Sequence, residues 1–176
     1  ACTALKDLTV PASVELIGEQ AFANLPYLTN VTFEGGAGYV GASAFGSCIN
    51  VQKVNITDIA KWCGTDFADD LSNPLAYSQE LYSNDELISD LVIPDGVESI
   101  SSRTFFGCSS LVSVSIPASV TEIGAAAFDG IDGLTISCEI DSPADNWAEQ
   151  WNVDGMPVRW DCNDNKIAAD AYLYAA

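Results

Sequence analysis

The sequence predicts a solenoid, a stack of similar coils each made of a short strand and two turns. Three observations carry this reading. The stretch Cys2–Tyr27 (CTALKDLTVPASVELIGEQAFANLPY) recurs in its apolar, proline and glycine positions at Cys108–Gly133 (CSSLVSVSIPASVTEIGAAAFDGIDG). Leu5, Leu28 and Val51, and again Ile88, Leu111 and Leu134, open successive units 23 residues apart. Within a unit the pattern runs L-x-x-V-x-I-P-x-x-V-x-x-I-G-x-x-A-F-x-x-C. A constant period of this length marks a repeat architecture, in which one unit cannot bury its own apolar face and a neighbour must cover it.

Each part of the unit has a physical role. The L-x-x-V-x-I opening ends in alternating apolar residues, as a half-buried strand requires. Pro11, Pro94 and Pro117 cannot donate to a ladder, so the chain turns there. The Ile-Gly pair closes a second corner, where glycine is expected to supply unusual backbone angles. The Ala-Phe pair sets a small side chain beside a large one, as a filled interior needs.

The third unit is longer. Val51, Val54 and Ile56 open it, Cys63-Gly64 is expected in the Ile-Gly slot, and the next unit starts at Ile88. The additional residues lie near 73–87, where Asn84-Asp85 predicts a tight turn. A β-hairpin projecting from the stack is expected there. After Gly133 the pattern decays. Ile136, Cys138 and Ile140 alternate, as do Val158, Trp160 and Cys162, and a helical turn at Asn146–Asn152 places Trp147 and Trp151 on one face. Residues 1–133 thus read as about five repeats with an insertion, and 134–176 as a degenerate last repeat with a C-terminal cap over the last apolar rung. The tail Lys166–Ala176 is expected to be helical or frayed. Ala1-Cys2 matches Gly107-Cys108, the end of a unit, so the chain reads as a piece of a longer array or a processed product.

Charge and cysteines narrow the function. Twenty-five acidic residues face six basic ones, for a net charge of −19. Such a surface repels nucleic acid and anionic lipid, and it keeps an extended stack soluble. No apolar run reaches the ~20 residues of a membrane span. Cys2, Cys48 and Cys108 share one repeat position with Leu25 and Ile131, and Cys63 is assigned to that of Ile17, Val40 and Ile123, so these four read as buried small hydrophobes. Cys138 and Cys162 sit on the alternating cap strands, where they either pair as a disulfide or remain two buried thiols.

No catalytic or metal chemistry is expected, and no cofactor. The chain has no histidine, which removes the usual triads and zinc–histidine sites. Acidic pairs such as Asp69-Asp70 and Asp85-Glu86 fall in turns, where solvated carboxylates are ordinary. Gly35-Gly36-Ala37-Gly38 lacks the lysine of a phosphate loop and reads as a substitute for the proline corner. Asp161-Cys-Asn163-Asp-Asn165 begins like a calcium loop, but Lys166 stands where glycine is needed and Tyr172 where glutamate is needed. Asn30-Val31-Thr32 and Asn55-Ile56-Thr57 are formal glycosylation sequons. The outward strand positions form a polar panel, and partner-binding is expected at Lys6, Asp7, Thr9, Asn30, Thr32, Lys53, Asn55, Asp90, Ser113 and Ser115, with the hairpin residues Tyr77, Leu81 and Tyr82 as a second patch.

The phrases LVIPDGVESI (Leu91–Ile100) and LVSVSIPASVTEIGAAAF (Leu111–Phe128) resemble the BspA-type leucine-rich repeats. The insertion with Trp62-Cys63, Asn73-Pro74-Leu75 and Leu81–Asn84, and the end NWAEQWNVDGMPVRW, resemble the same family. Ser101, Thr104 and Glu34 depart from the pattern, where other units have Gly, Ala and Pro. The resemblance implies a right-handed leucine-rich-repeat solenoid, with short parallel strands on one side and irregular or 3-10 turns on the convex side. It implies a secreted or cell-surface microbial module, extracellular and non-catalytic, that adheres to a protein of the host matrix or of a neighbouring cell, or to a glycan. The alternative is a structural segment that self-associates through its open ends into a filament or array.

Overall fold

The alternating apolar residues of each unit form strands whose register is set by the repeat itself. The computed structural model describes residues 4–139, 141–153, 159–162 and 165–167, with side chains described up to residue 148. Cys2, Ile140, Val158 and the tail beyond 167 lie outside the described residues. In chain order the strands are β1 (Asp7–Val10), β2 (Leu16–Ile17), β3 (Asn30–Phe33), β4 (Tyr39–Val40), β5 (Lys53–Ile56), β6 (Asp66–Phe67), β7 (Leu81–Ser83), β8 (Glu86–Leu87), β9 (Asp90–Val92), β10 (Ser99–Ile100), β11 (Ser113–Ser115), β12 (Glu122–Ile123), β13 (Thr135–Ser137), β14 (Arg159–Cys162) and β15 (Asn165–Ile167). The helices are α1 (Ile59–Cys63), α2 (Leu75–Ser78) and α3 (Pro143–Val153).

The front of the solenoid carries two sheets in the orders β1-β3-β5-β7-β8 and β9-β11-β13-β14-β15. Parallel pairing sets Leu8, Val31, Val54 and Leu81 in one column, and Leu91, Val114 and Ile136 in another. These columns face the core, and from Val31 onward their members are buried. The two-residue strands β2-β4-β6 and β10-β12 line the second side, with Ile17, Val40 and Phe67 aligned. Stacking thus covers each unit's oily side with the next, as the 23-residue period requires.

The third side is a turn that repeats with its backbone angles. Gln20, Ser43, Arg103 and Ala126 occupy equivalent places at φ 53°, 52°, 58° and 56°. Asn24, Ser47, Gly107 and Gly130 follow four residues later, also at positive φ. These four rungs therefore each reverse twice through left-handed residues, and backbone bonds such as Phe22 N–H to Ala44 C=O (2.8 Å) and Phe105 N–H to Ala127 C=O (2.8 Å) tie them to their neighbours. Phenylalanines stack inside this turn. Phe22 and Phe45 lie 5.4 Å apart, and Phe105 and Phe128 lie 5.1 Å apart.

The Ile-Gly glycines serve a different purpose from the one expected. Gly41 and Gly124 do not have positive φ. A Cβ on Gly41 would stand 2.6 Å from the Glu19 nitrogen, and one on Gly124 would stand 2.5 Å from the Ser102 nitrogen. They are glycines because the preceding rung's backbone passes too close for any side chain.

The insertion also departs from expectation. Cys63 is not in the Ile-Gly slot; Phe67 pairs there with Val40, and Cys63 lies on α1, which replaces the corner. Asp58 caps α1 by accepting from Lys61 N–H. Trp62 on α1 packs against Phe33 and Phe67, with ring centres 5.0 and 5.4 Å away. Gly36 is the seat for this helix, since a Cβ there would overlap the Lys61 carbonyl. The glycine-rich run is a packing surface for α1. The hairpin forms around Asn84 and Asp85, both at positive φ, but it does not project. Its first strand continues the front sheet in register on β5. Behind it, rungs three and four meet directly through Ser101 N–H to Cys63 C=O (2.8 Å) and Thr104 Oγ1 to Thr65 C=O (3.2 Å). The hairpin therefore adds strands to the front alone.

At the C-terminal end α3 runs from Pro143 to Val153, longer than the single turn expected. It buries Ala144 and Ala148 and sets Trp147 5.9 Å from Phe128. Beyond it, β14 pairs parallel to β13, and β15 returns antiparallel.

Two substitutions separate close approach from backbone freedom. Gly41→Ala should destabilise by about 1–3 kcal/mol through overpacking against rung one. Gly18→Ala should be near neutral, because nothing lies within 4 Å of its would-be Cβ. Denaturant melts of the two variants beside the unmodified chain check this. Conversely, Ala126→Gly should stabilise by about 0.5–1 kcal/mol, as it relieves a left-handed alanine.

Candidate functional site

The outward positions of the front strands fall into columns by the same register. Asp7, Asn30 and Lys53 form one column, and Thr9, Thr32, Asn55 and Tyr82 the next. On the second sheet Asp90, Ser113 and Thr135 align, beside Val92, Ser115 and Ser137. Lys6, Asp7, Thr9, Asp90 and Ser115 are exposed, and Asn30, Thr32, Lys53 and Ser113 are half-buried. The expected panel is thus one continuous strip on each sheet.

Of the second expected patch only Tyr82 joins the panel, because β7 enters the sheet. Tyr82 lies in register with Asn55, and the Lys53 ammonium sits 4.7 Å above its ring. Lys53 also pairs with Asp85 of the hairpin turn at 2.6 Å. Asn55 is only 6% exposed; its Oδ1 accepts from Asp85 N–H at 2.8 Å, which pins the hairpin to the sheet. Leu81 is fully buried in the core column and takes no part in a surface patch. Tyr77 stands elsewhere, on α2, with its hydroxyl accepting from Ser47 N–H at 2.9 Å. An aromatic residue therefore stands inside a panel whose strand pattern alone contained none.

Hydrogen bonds hold much of this surface in place. Asn30 Nδ2 donates to Asp7 at 2.5 Å, and Ser113 Oγ donates to Asp90 at 2.5 Å. Ser89 donates to the other Asp90 oxygen at 2.9 Å. The two serine hydroxyls, Ser113 foremost, hold the Asp90 carboxyl below its usual pKa, so it stays ionised. Tyr82 donates to Glu80 at 2.8 Å, and this bond raises the phenol's pKa. Val92, Val112 and Leu87 add exposed apolar area on the hairpin and the second sheet.

No arrangement of nucleophile and base appears among the described residues. Burial, the largest cause in each case, pushes the Cys63 thiol up to about 12 and the Cys108 thiol up to about 11. Burial also raises Cys48, whose Sγ meets the Phe22 carbonyl at 3.1 Å. They are protonated core groups, not nucleophiles. An open cleft of about 460 Å³ between α1 and the fourth corner is walled by Lys61, Gly64, Asp95, Val97, Glu98 and Ser99. Of the D-x-N-x-N run, Asp161 and Cys162 end β14 and Asn165 opens β15, with Cys162 opposite Asn165; Asn163 and Asp164 lie outside the described residues. Among the described residues no helix is long and apolar enough to cross a membrane.

The chain belongs to the BspA-type leucine-rich repeat family: that family's model matches six copies over residues 1–69 and 77–148. A leucine-rich cell surface protein from Faecalibacterium prausnitzii A2-165 is similar in structure, with 23% identity over 76% of this chain and a TM-score of 0.33. The chain spans about half, 48%, of that protein's length. No curated protein matches the chain.

The raised thiols have a signed consequence. Stability contributed by neutral Cys63 and Cys108 is fully present below the unfolded pKa near 9.0 and is lost as pH rises toward 11 and 12. Native protein at pH 8 should therefore leave these thiols unreacted toward a disulfide reagent and expose them only on unfolding, as followed by absorbance.

Proposed function

We propose that this chain is a non-catalytic adhesion module of a secreted or cell-surface microbial protein. It takes a protein of the host matrix or of a neighbouring cell on its front sheet. The observation that carries this reading is the Tyr82–Lys53–Asp85 cluster set into an ordered polar strip. Tyrosine is a residue type that dominates binding hot spots, and side chains already held by hydrogen bonds lose little freedom on binding. The family's repeats build extended surfaces of this kind. The net charge of −19 favours a basic partner and disfavours nucleic acid and anionic lipid. Glycans share the demand for neutral hydrogen-bonding groups, which Thr9, Thr32 and Ser115 supply.

A second reading rests on a specific observation. Leu5, Leu8, Val14 and Phe22 of the first rung are only partly buried, whereas their counterparts Leu28, Val31, Ala37 and Phe45 are sealed by stacking. A further rung or a second copy seated there would make the module a structural segment. Light scattering separates the two: a strict monomer at high concentration removes self-assembly.

Binding of the chain to immobilised matrix proteins and to intact bacterial cells tests the adhesion reading. Tyr82→Ala and Lys53→Ala should each weaken binding about tenfold, worth about 1.4 kcal/mol, without shifting the melt by more than a few degrees. Rising salt should weaken it further. Binding that ignores both substitutions moves the site off this face.

A further inference from the structure

Two cysteines differ from the rest in where the fold places them. Cys48, Cys63 and Cys108 are buried in the core of other rungs. Cys138 follows directly on β13, whose last residue, Ser137, pairs with Asp161 of β14. Cys162 is the residue after Asp161 and ends β14. The ladder ends at that pair, and one more step of the same parallel register would set Cys138 beside Cys162. Adjacent strands lie about 4.8 Å apart, inside the roughly 4.4–6.8 Å between Cα atoms that a disulfide spans. Cys138 is two residues beyond Ile136 and shares its side of the strand, and both are buried.

We propose that Cys138 and Cys162 form a disulfide that locks the C-terminal cap, on the observation that the β13–β14 register, carried one residue past the Ser137–Asp161 pair, brings these two cysteines side by side. The bond closes a loop holding α3, the helix that buries Ala144 and Ala148 and sets Trp147 against Phe128. This helix lies over the apolar side of the last repeat, so the seal there depends on its staying down. A crosslink across the loop limits the freedom of the opened cap and keeps the apolar end closed. The oxidant is an external disulfide, small or enzymatic. One cap thiolate attacks it, giving a mixed disulfide and releasing one external thiol; the second cap thiolate displaces the other. The cap loses two electrons, the external disulfide becomes two thiols, and those thiols take up the two cap protons. Such a bond persists only in an oxidising compartment. It does not rest on the adhesion reading, since it forms whether or not the front sheet holds a partner.

The test is a peptide map of the unmodified chain, produced in an oxidising compartment and alkylated in denaturant without reductant. A peptide pair joined through Cys138 and Cys162, two hydrogens lighter than the sum of its thiol forms, is expected. Reductant should speed protease cleavage between residues 139 and 161 roughly tenfold. The variants Cys138→Ser and Cys162→Ser should be cleaved quickly with or without reductant. Recovery of both residues singly alkylated overturns the proposal, and so does a bond from either to another cysteine. Because the map needs no variant, misfolding of the serine forms leaves the proposal open to refutation.

Discussion

The contact between one rung and the next governs everything else in this molecule. A single coil of this chain is too thin to bury both sides of its apolar row, so the row is buried only where another coil lies on it. Val31, Val54, Leu91 and Val114 are sealed in this way, while the first rung's Leu8 and Phe22 stay partly open. The same contact explains the glycines. Where coils press closest, at Gly41 and Gly124, the neighbouring backbone occupies the space of a Cβ. Each coil must also repeat the backbone path of the last, which is why Gln20, Ser43, Arg103 and Ala126 all accept a left-handed conformation.

The insertion shows how a stack absorbs additional chain without losing that contact. On the second side rung four still bonds to rung three, through Ser101 to Cys63 and Phe67 to Ser102. On the front the additional residues take the form the sheet already has, since β7 pairs with β5 in register and β8 turns back on it. The front therefore gains strands that the back lacks. The cost of a projecting hairpin, which would leave backbone groups and Leu81 in water, is avoided by docking it as another rung. The surface gains an aromatic residue with a lysine held over its ring.

Much of the fold was legible because burial is periodic. The 23-residue step, the strand positions, the tight turn at Asn84-Asp85 and the capping helix near Trp147 all follow from local pattern. The site was legible only in part. The outward residues Asp7, Asn30, Lys53 and Ser113 follow from alternation along a strand. The part played by Tyr82 does not, because Leu81–Ser83 looks like any hairpin arm until its pairing partner is known. Asn55 reads as a surface residue by its position and is buried by the hairpin turn that lies on it. Cys63 reads as a strand residue by spacing, yet a capped helix carries it away from that slot.

Sequence alone settled the period, the solenoid class, the alternation that makes one front polar and the absence of histidine chemistry. These depend on residue type and spacing, which a linear chain displays in full. Tertiary structure decided which glycines stand against a neighbouring backbone, where the insertion docks and which side chains become one surface. Each of those is a contact between residues distant in the chain, set by which coil lies against which, and no local pattern encodes the distance between two coils.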